Sequence, residues 1–349
     1  MAIVAVARDL HDLRVRLGAI TVAYTFEGEP VLAEQLRAAG AMAVLLKDAL
    51  KPNLVQTLEG QPALVHCGPF ANIAHGNNSL VADLVALKLG EYVVTESGFG
   101  ADMGMEKFLN IVCRVGGLSP SAVVLVATAR ALKHHGGDPA GGLDAIERGS
   151  ANLRRHLEIV AGFGLRAVVA VNRFPGDTDD EVELVRRLAL EHGAHAAELS
   201  EAFERGGEGA AALAEAVVDA TEHANAFAHT YPLDAPIGAK IEAIATRVYG
   251  AGSVVFLQTA KDKLKQYTAG GLDRLPICMA KTHLSLSHDP ELTNAPSGFE
   301  LTVRDVRAYT GAGWLVALCG TMQTMPGLGA TPAAFAVDID EDGRTVGLF

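Results

Sequence analysis

The chain has 349 residues, 49% of them apolar and only 5% aromatic, and a net charge of −12. That length accommodates two or three domains with aliphatic cores, and the acidic balance, with no basic stripe, argues against nucleic acid or an anionic membrane surface as a partner. No apolar run approaches the roughly 18–20 residues of a membrane span, no basic leader precedes the first apolar residues, and four scattered cysteines without a C-x-x-C pair fit a reducing, cytoplasmic setting.

Residues 3–17 read as an amphipathic helix without a leader or cap, as though the chain began partway through a domain. A strand at 20–24, a helix at 31–41 and a strand at 42–46 follow. Three short, β-branched apolar runs come next, at 63–67, 92–96 and 122–128. Each suits a strand buried on both faces of a parallel sheet. Helices are expected near 79–89 and 105–115, and a long one at 143–163 closes the region. Each of the three runs ends in a loop rich in Gly, His, Asn or acid: 68–79, 96–104 and 129–137. Ligands of open α/β sheets sit at the carboxyl ends of strands, so the three loops predict one shared site.

A second α/β unit starts with a strand at 167–171, a loop at 172–178 and a helix at 179–192. A short strand at 196–199 leads into the Gly-rich turn 206–209 and another helix. From 237 the pattern changes: helices at 237–248 and 260–267, then apolar tracts at 275–283, 299–306 and 314–319, and a turn-rich tail. Alternation of this kind gives an α/β fold with mostly parallel sheets and flanking helices, plus a smaller α+β insertion. We divide it into 1–160, 161–250 with the tail 327–349, and 251–326.

Several residues carry possible chemistry, each with a plainer alternative. Thr128, Arg130, Lys133, His134 and His135 follow a buried strand, and Arg with Lys can hold an anion; a helix start with solvated charges would look the same. Adjacent His134 and His135 diverge and make a poor metal pair, so no metal site is expected. Asn172, Phe174 and Pro175 end a buried strand, where a base-recognition loop or a simple strand exit can sit. Phe99, between two glycines, can stack on a flat ring or pack in a core. The P-loop G-x-x-x-x-G-K-[ST] that grips phosphate does not occur. Gly206–Gly209 supplies glycines but no lysine, which fits a tight turn.

Together these segments resemble the formate–tetrahydrofolate ligase family. The resemblance rests on 126–137 (VATARALKHHGG), 51–59, 68–76 (GPFANIAHG), 95–102 (TESGFGAD), 172–175 (NRFP), 276–282 (PICMAKT), 324–328 and the terminal 346–349. It implies a P-loop NTPase-like fold and the ligation of formate to tetrahydrofolate, with MgATP, by way of formyl phosphate. It also implies homotetramers and a response to monovalent cations. By motif position the pterin would lie between Phe99 and Phe203, where the family usually has Trp at the latter. Asn172, Phe174 and Pro175 would touch adenine, with Arg173 in place of the family's Lys. Asp102, Arg130 and Lys133 would line the ligand site. The resemblance covers the C-terminal five-eighths or so of such an enzyme, without the segment bearing its P-loop and formyl-phosphate arginine. The expected protein is therefore a truncated ligase or one half of a split enzyme that pairs with a P-loop fragment. A non-catalytic folate- or nucleotide-binding remnant is the alternative. A Rossmann oxidoreductase is disfavoured, because no G-x-G-x-x-G follows the first strands.

Overall fold

The computed structural model describes residues 1–324 and 330–347, so most of the tract 324–328 and the end of 346–349 lie outside the described residues. The chain opens with α1 (Ala2–Val6) and α2 (Leu10–Gly18), not with one helix over 3–17. Asp9 explains the break: its side chain caps α2 by accepting from the Asp12 amide, which requires extended backbone just before the helix. The region up to residue 65 departs further from expectation. Strands β1 (Thr21–Tyr24) and β2 (Pro30–Leu32) pair as an antiparallel hairpin, α3 (Ala39–Leu46) occupies the stretch read as a strand at 42–46, and β3 (Asn53–Gln56) and β4 (Pro62–Val65) form a second hairpin. The helix expected at 31–41 is β2, a turn and the start of α3.

Neither hairpin is buried on both faces. Phe26, Leu45, Leu54 and Leu58 are exposed, and a small cluster of Val4, Leu13, Leu17 and Leu50 holds the region together. Hairpin formation overrides the parallel reading, because turns at Thr25–Gly28 and Thr57–Gly60 close each pair locally. This segment is tied to the far end of the chain: Arg16 donates to the Ala312 carbonyl at 3.0 Å and the Thr21 amide to Thr310 Oγ1 at 2.9 Å.

α4 (Leu80–Leu89) is capped by Ser79. The run 92–96 is not a strand; the one bridge nearby joins Asn77 to Ser97, just past it, and Val94 is exposed. Two π-helical turns, Ala101–Met105 and Phe108–Val112, lead into α5 (Cys113–Gly116) and are buried throughout their length. Next come β5 (Val123–Ala127), α6 (Ala129–His135), α7 (Leu143–Gly162), β6 (Ala167–Asn172), α8 (Asp179–Glu191), β7 (Ala196–Ser200), the short α9 (Ala202–Arg205) and α10 (Ala211–Glu222).

β5, β6 and β7 form one parallel sheet in that order. β6 is central and buried along its length, whereas β5 is an edge whose Val124 and Val126 are exposed. A continuous apolar run therefore meant two-face burial for β6 but not for β5. A division at residue 160 falls between two paired strands of this sheet. α8 begins with a full capping box between Thr178 and Glu181, the local signal for a helix start.

The last third holds α11 (Ile237–Ile244), which runs into a π turn at Ala245–Tyr249, then β8 (Ser253–Phe256), α12 (Gln258–Ala269), β9 (Ile277–Ala280), β10 (Glu300–Tyr309) and β11 (Trp314–Cys319). These four strands form a mixed sheet in the order β8-β10-β11-β9, antiparallel only at its centre. β9 and β11 are fully buried. One core runs from the parallel sheet through α7 and α11 to this second sheet.

Candidate functional site

Of the three loops that the sequence assigns to one site, two cross, though not by sharing a sheet; the third, 129–137, is mostly helix α6. Loop 68–79 and loop 96–104 cross at three glycines. The Gly98 amide donates to the Gly76 carbonyl at 3.0 Å. A Cβ on Gly76, whose φ is +75°, would stand 2.6 Å from the Gly104 carbonyl oxygen, and one on Gly104 would overlap the Gly98 backbone. Only glycine permits backbones to pass this closely. Asn77, Asp83 and Thr95 pin the crossing: the Thr95 hydroxyl donates to Asp83 at 2.9 Å and the Asn77 amide donates to Asp83 at 3.0 Å. Burial raises the Asp83 carboxyl to about 6 against the pull of those two hydrogen bonds.

Phe99 projects from this crossing with φ +65°, rare for a non-glycine residue. Its ring is 57% exposed and stacks on His283, with centroids 4.8 Å apart. Beneath it, Asp102 forms a buried ion pair with Lys281 at 2.7 Å. Burial pushes the Asp102 carboxyl up, but Lys281 and His156 outweigh it and hold the group below the usual carboxylate range. Burial likewise lowers Lys281 and His156, with Asp102 opposing both. Asp102 thus sits behind the Phe99 loop, engaged with protein partners.

A cleft of about 980 Å³ runs from Phe99 along the outer edge of β5, past Val94, Val124, Val126 and His156. Phe99 is the only one of the ligand residues suggested by the sequence to line it. Its walls are largely hydrocarbon, whereas polar and aromatic side chains collect at the ends of the parallel strands.

At those ends the register sets Asn172 beside Ser200. Phe174 lies two residues past β6, and Phe203 lies three past β7. The Phe174 amide donates to Asp177 at 2.9 Å, and Arg173 binds Asp179 at 2.7 Å and Glu201 at 3.6 Å, so one loop is braced against the other. Phe203 is 99% exposed on α9. Thr128 caps α6 and so directs Arg130, in its first turn, across to the neighbouring strand. The Arg130 guanidinium lies 5.2 Å from the centre of the Phe174 ring, a cation–π distance.

Lys133 is different: its ammonium is 2.6 Å from Glu181 and mostly buried. Its charge is already answered by α8, which leaves Arg130 as the outward cation of the pair. His135 accepts from the Asn294 amide at 3.0 Å, and burial lowers its imidazole to about 4. The turn at 206–209 is closed by protein: the Glu59 carboxylate accepts from the Gly207 amide.

Sequence reasoning missed Lys281, His156 and His283. Lys281 lies inside one of the quoted motifs, but nothing local signals its pairing with Asp102. An intact Lys within a buried β tract was the available clue, since such a charge requires a partner.

Comparison with known proteins matches the formate--tetrahydrofolate ligase family model over residues 1–349. The chain is 57% identical to the formate--tetrahydrofolate ligase of Desulforamulus reducens and 54% identical to that of Roseiflexus castenholzii, in each case over 100% of this chain and 64% of the relative. It is 52% identical to the cytoplasmic C-1-tetrahydrofolate synthase of Mus musculus, over 100% of this chain and 39% of that protein. The chain thus spans a little under two thirds of the length of the bacterial relatives it matches.

Proposed function

The chain belongs to the formate–tetrahydrofolate ligase family, and from that premise we propose that it takes part in the ATP-dependent ligation of formate to tetrahydrofolate, giving 10-formyltetrahydrofolate by way of formyl phosphate. The observation that carries the reading is that the ends of β6 and β7 lie side by side, with Asn172 beside Ser200, Arg130 over the Phe174 ring, and Phe203 exposed three residues past β7. Strands about 4.8 Å apart set the two aromatic loops side by side. Together they offer ring faces, an amide that both donates and accepts, and one cation.

In this reading Phe203 is one wall of a slot for a flat ring. Phe174, on the neighbouring strand end, is the better second wall for the pterin than Phe99, whose ring already stacks on His283. Arg130 backs the Phe174 ring. Asn172 and Pro175 take the adenine, and Asp102 steadies the Phe99 loop through Lys281. Lys133 acts by anchoring α8 through Glu181. No P-loop occurs in these 349 residues, so the grip on the phosphates and Mg2+ is assigned to a P-loop segment outside them. A P-loop NTPase-like core, homotetrameric assembly, a monovalent-cation response and a separate 251–326 module complete the proposal.

The experiment is folate binding by fluorescence quenching, alongside ATP-, formate- and tetrahydrofolate-dependent formation of the formyl product. Phe203→Ala and Phe174→Ala should each weaken folate binding by about 1–3 kcal/mol, the range for one lost ring stack, and Phe99→Ala by less. A full loss for Phe99→Ala with none for Phe174→Ala would return the second wall to Phe99. No folate binding by the unmodified chain, with or without a P-loop fragment, would overturn the reading.

A further inference from the structure

At the opposite end of β7 lies a cluster that the proposed ligation does not use. We propose that His195, Asp219 and His223 form a binding site for a borderline divalent transition metal, zinc above all, that pins α10 to the start of β7. Asp219 lies in the last turn of α10 and His223 is the residue that ends the helix, its backbone already extended; the two side chains still meet, at 3.7 Å. His195 approaches from β7, where its amide donates to the Ala167 carbonyl at 2.8 Å and fixes the backbone.

His195 Nε2 is 2.7 Å from Asp219 Oδ2, and His223 Nε2 is 3.7 Å from the same oxygen. All three ligand atoms lie within 4.8 Å of one another. Tetrahedral zinc with bonds of about 2.0–2.1 Å spaces its ligands about 3.3 Å apart, so the observed separations bracket the need. The two imidazole rings, 5.2 Å apart and inclined at 64°, converge on the carboxylate and do not stack. Arg166 lies close enough to act on Asp219 and would oppose a bound metal. Asp219 and His223 are well exposed while His195 is 19% exposed, which leaves the fourth position to water.

Two imidazoles and one carboxylate suit zinc, nickel or copper; magnesium and calcium prefer oxygen ligands. The five residues of β7, roughly 16 Å of strand, lie between the cluster and the turn that leads to Phe203. Its role would be to clip a helix to the strand that leads to that ring.

The test is calorimetric titration of the 349-residue chain with zinc, with thermal unfolding followed in zinc, magnesium and EDTA. One equivalent should bind, and zinc but not magnesium should raise the midpoint. His223→Ala alters an exposed position that the fold does not need and should weaken zinc binding by at least about tenfold, the scale on which even outer-shell changes act. Asp219→Asn should do the same, and the control His134→Gln should change nothing. No zinc-dependent shift, or one that His223→Ala leaves intact, overturns the proposal.

Discussion

Glu106 offers a sharp test of the buried polar layer beneath the Phe99 loop. It lies between the two π turns with no exposed surface. One carboxylate oxygen accepts from Asn110 at 2.7 Å, and the other has no partner. Burial raises the group to about 7, with Asp102 adding to the rise and Asn110, Lys107 and Arg114 opposing it. An unfolded glutamate ionises near 4.5, so between that value and about 7 the native chain binds more protons than the unfolded one. Stability from this group is complete below pH 4.5 and is lost as pH rises through 7. A rise of two to three units corresponds to about 3 kcal/mol. Glu106→Gln keeps the shape and the acceptor for Asn110 and cannot ionise. Urea unfolding of both proteins from pH 5 to 8.5 should give similar stabilities at the acid end and a gap opening to about 3 kcal/mol in favour of the variant at the alkaline end. Asp83, raised to about 6, tilts both profiles alike and cancels in the difference. Parallel profiles would refute the reasoning.

Removing Lys281 should be costly for a different reason. Lys281→Met leaves Asp102 buried without its partner, a loss on the order of 3–5 kcal/mol in unfolding free energy, and adding Asp102→Asn should recover much of it. Gly104→Ala places a methyl against the Gly98 backbone and should cost about 1–3 kcal/mol or more, seen as a lower melting temperature together with altered exposure of Phe99 to a fluorescence quencher. Asn172→Ala should weaken ATP or ADP binding in calorimetry while leaving folate binding nearly unchanged; equal losses would point to a folding defect. Phe203→Trp should hold or tighten folate binding, because the larger ring offers more stacking area.

The sequence was most legible where local chemistry and burial agree. β6, with five consecutive buried residues, and α8, with its Thr178–Glu181 box, fall where the pattern predicts. It was least legible in residues 30–65 and 92–96. There, short apolar runs describe a hairpin, an exposed helix or an irregular segment equally well, and only turn closure and neighbours decide. Within the candidate site, the loop 172–175 and its strand were readable because both are local. The Arg130–Phe174 contact and the Asp102–Lys281 pair were not, since each joins residues from separate elements that only the folded sheets bring together.

The triple-glycine crossing has a kinematic consequence. Gly76, Gly98 and Gly104 leave no slack between the two loops they join, and a packed contact transmits displacement instead of absorbing it. Loop 68–79 and loop 96–104 therefore share one degree of freedom. A ligand that draws Phe99 inward must move Asn77 with it, and through Asn77 the start of α4. Motion at the aromatic would thus be passed on to α4.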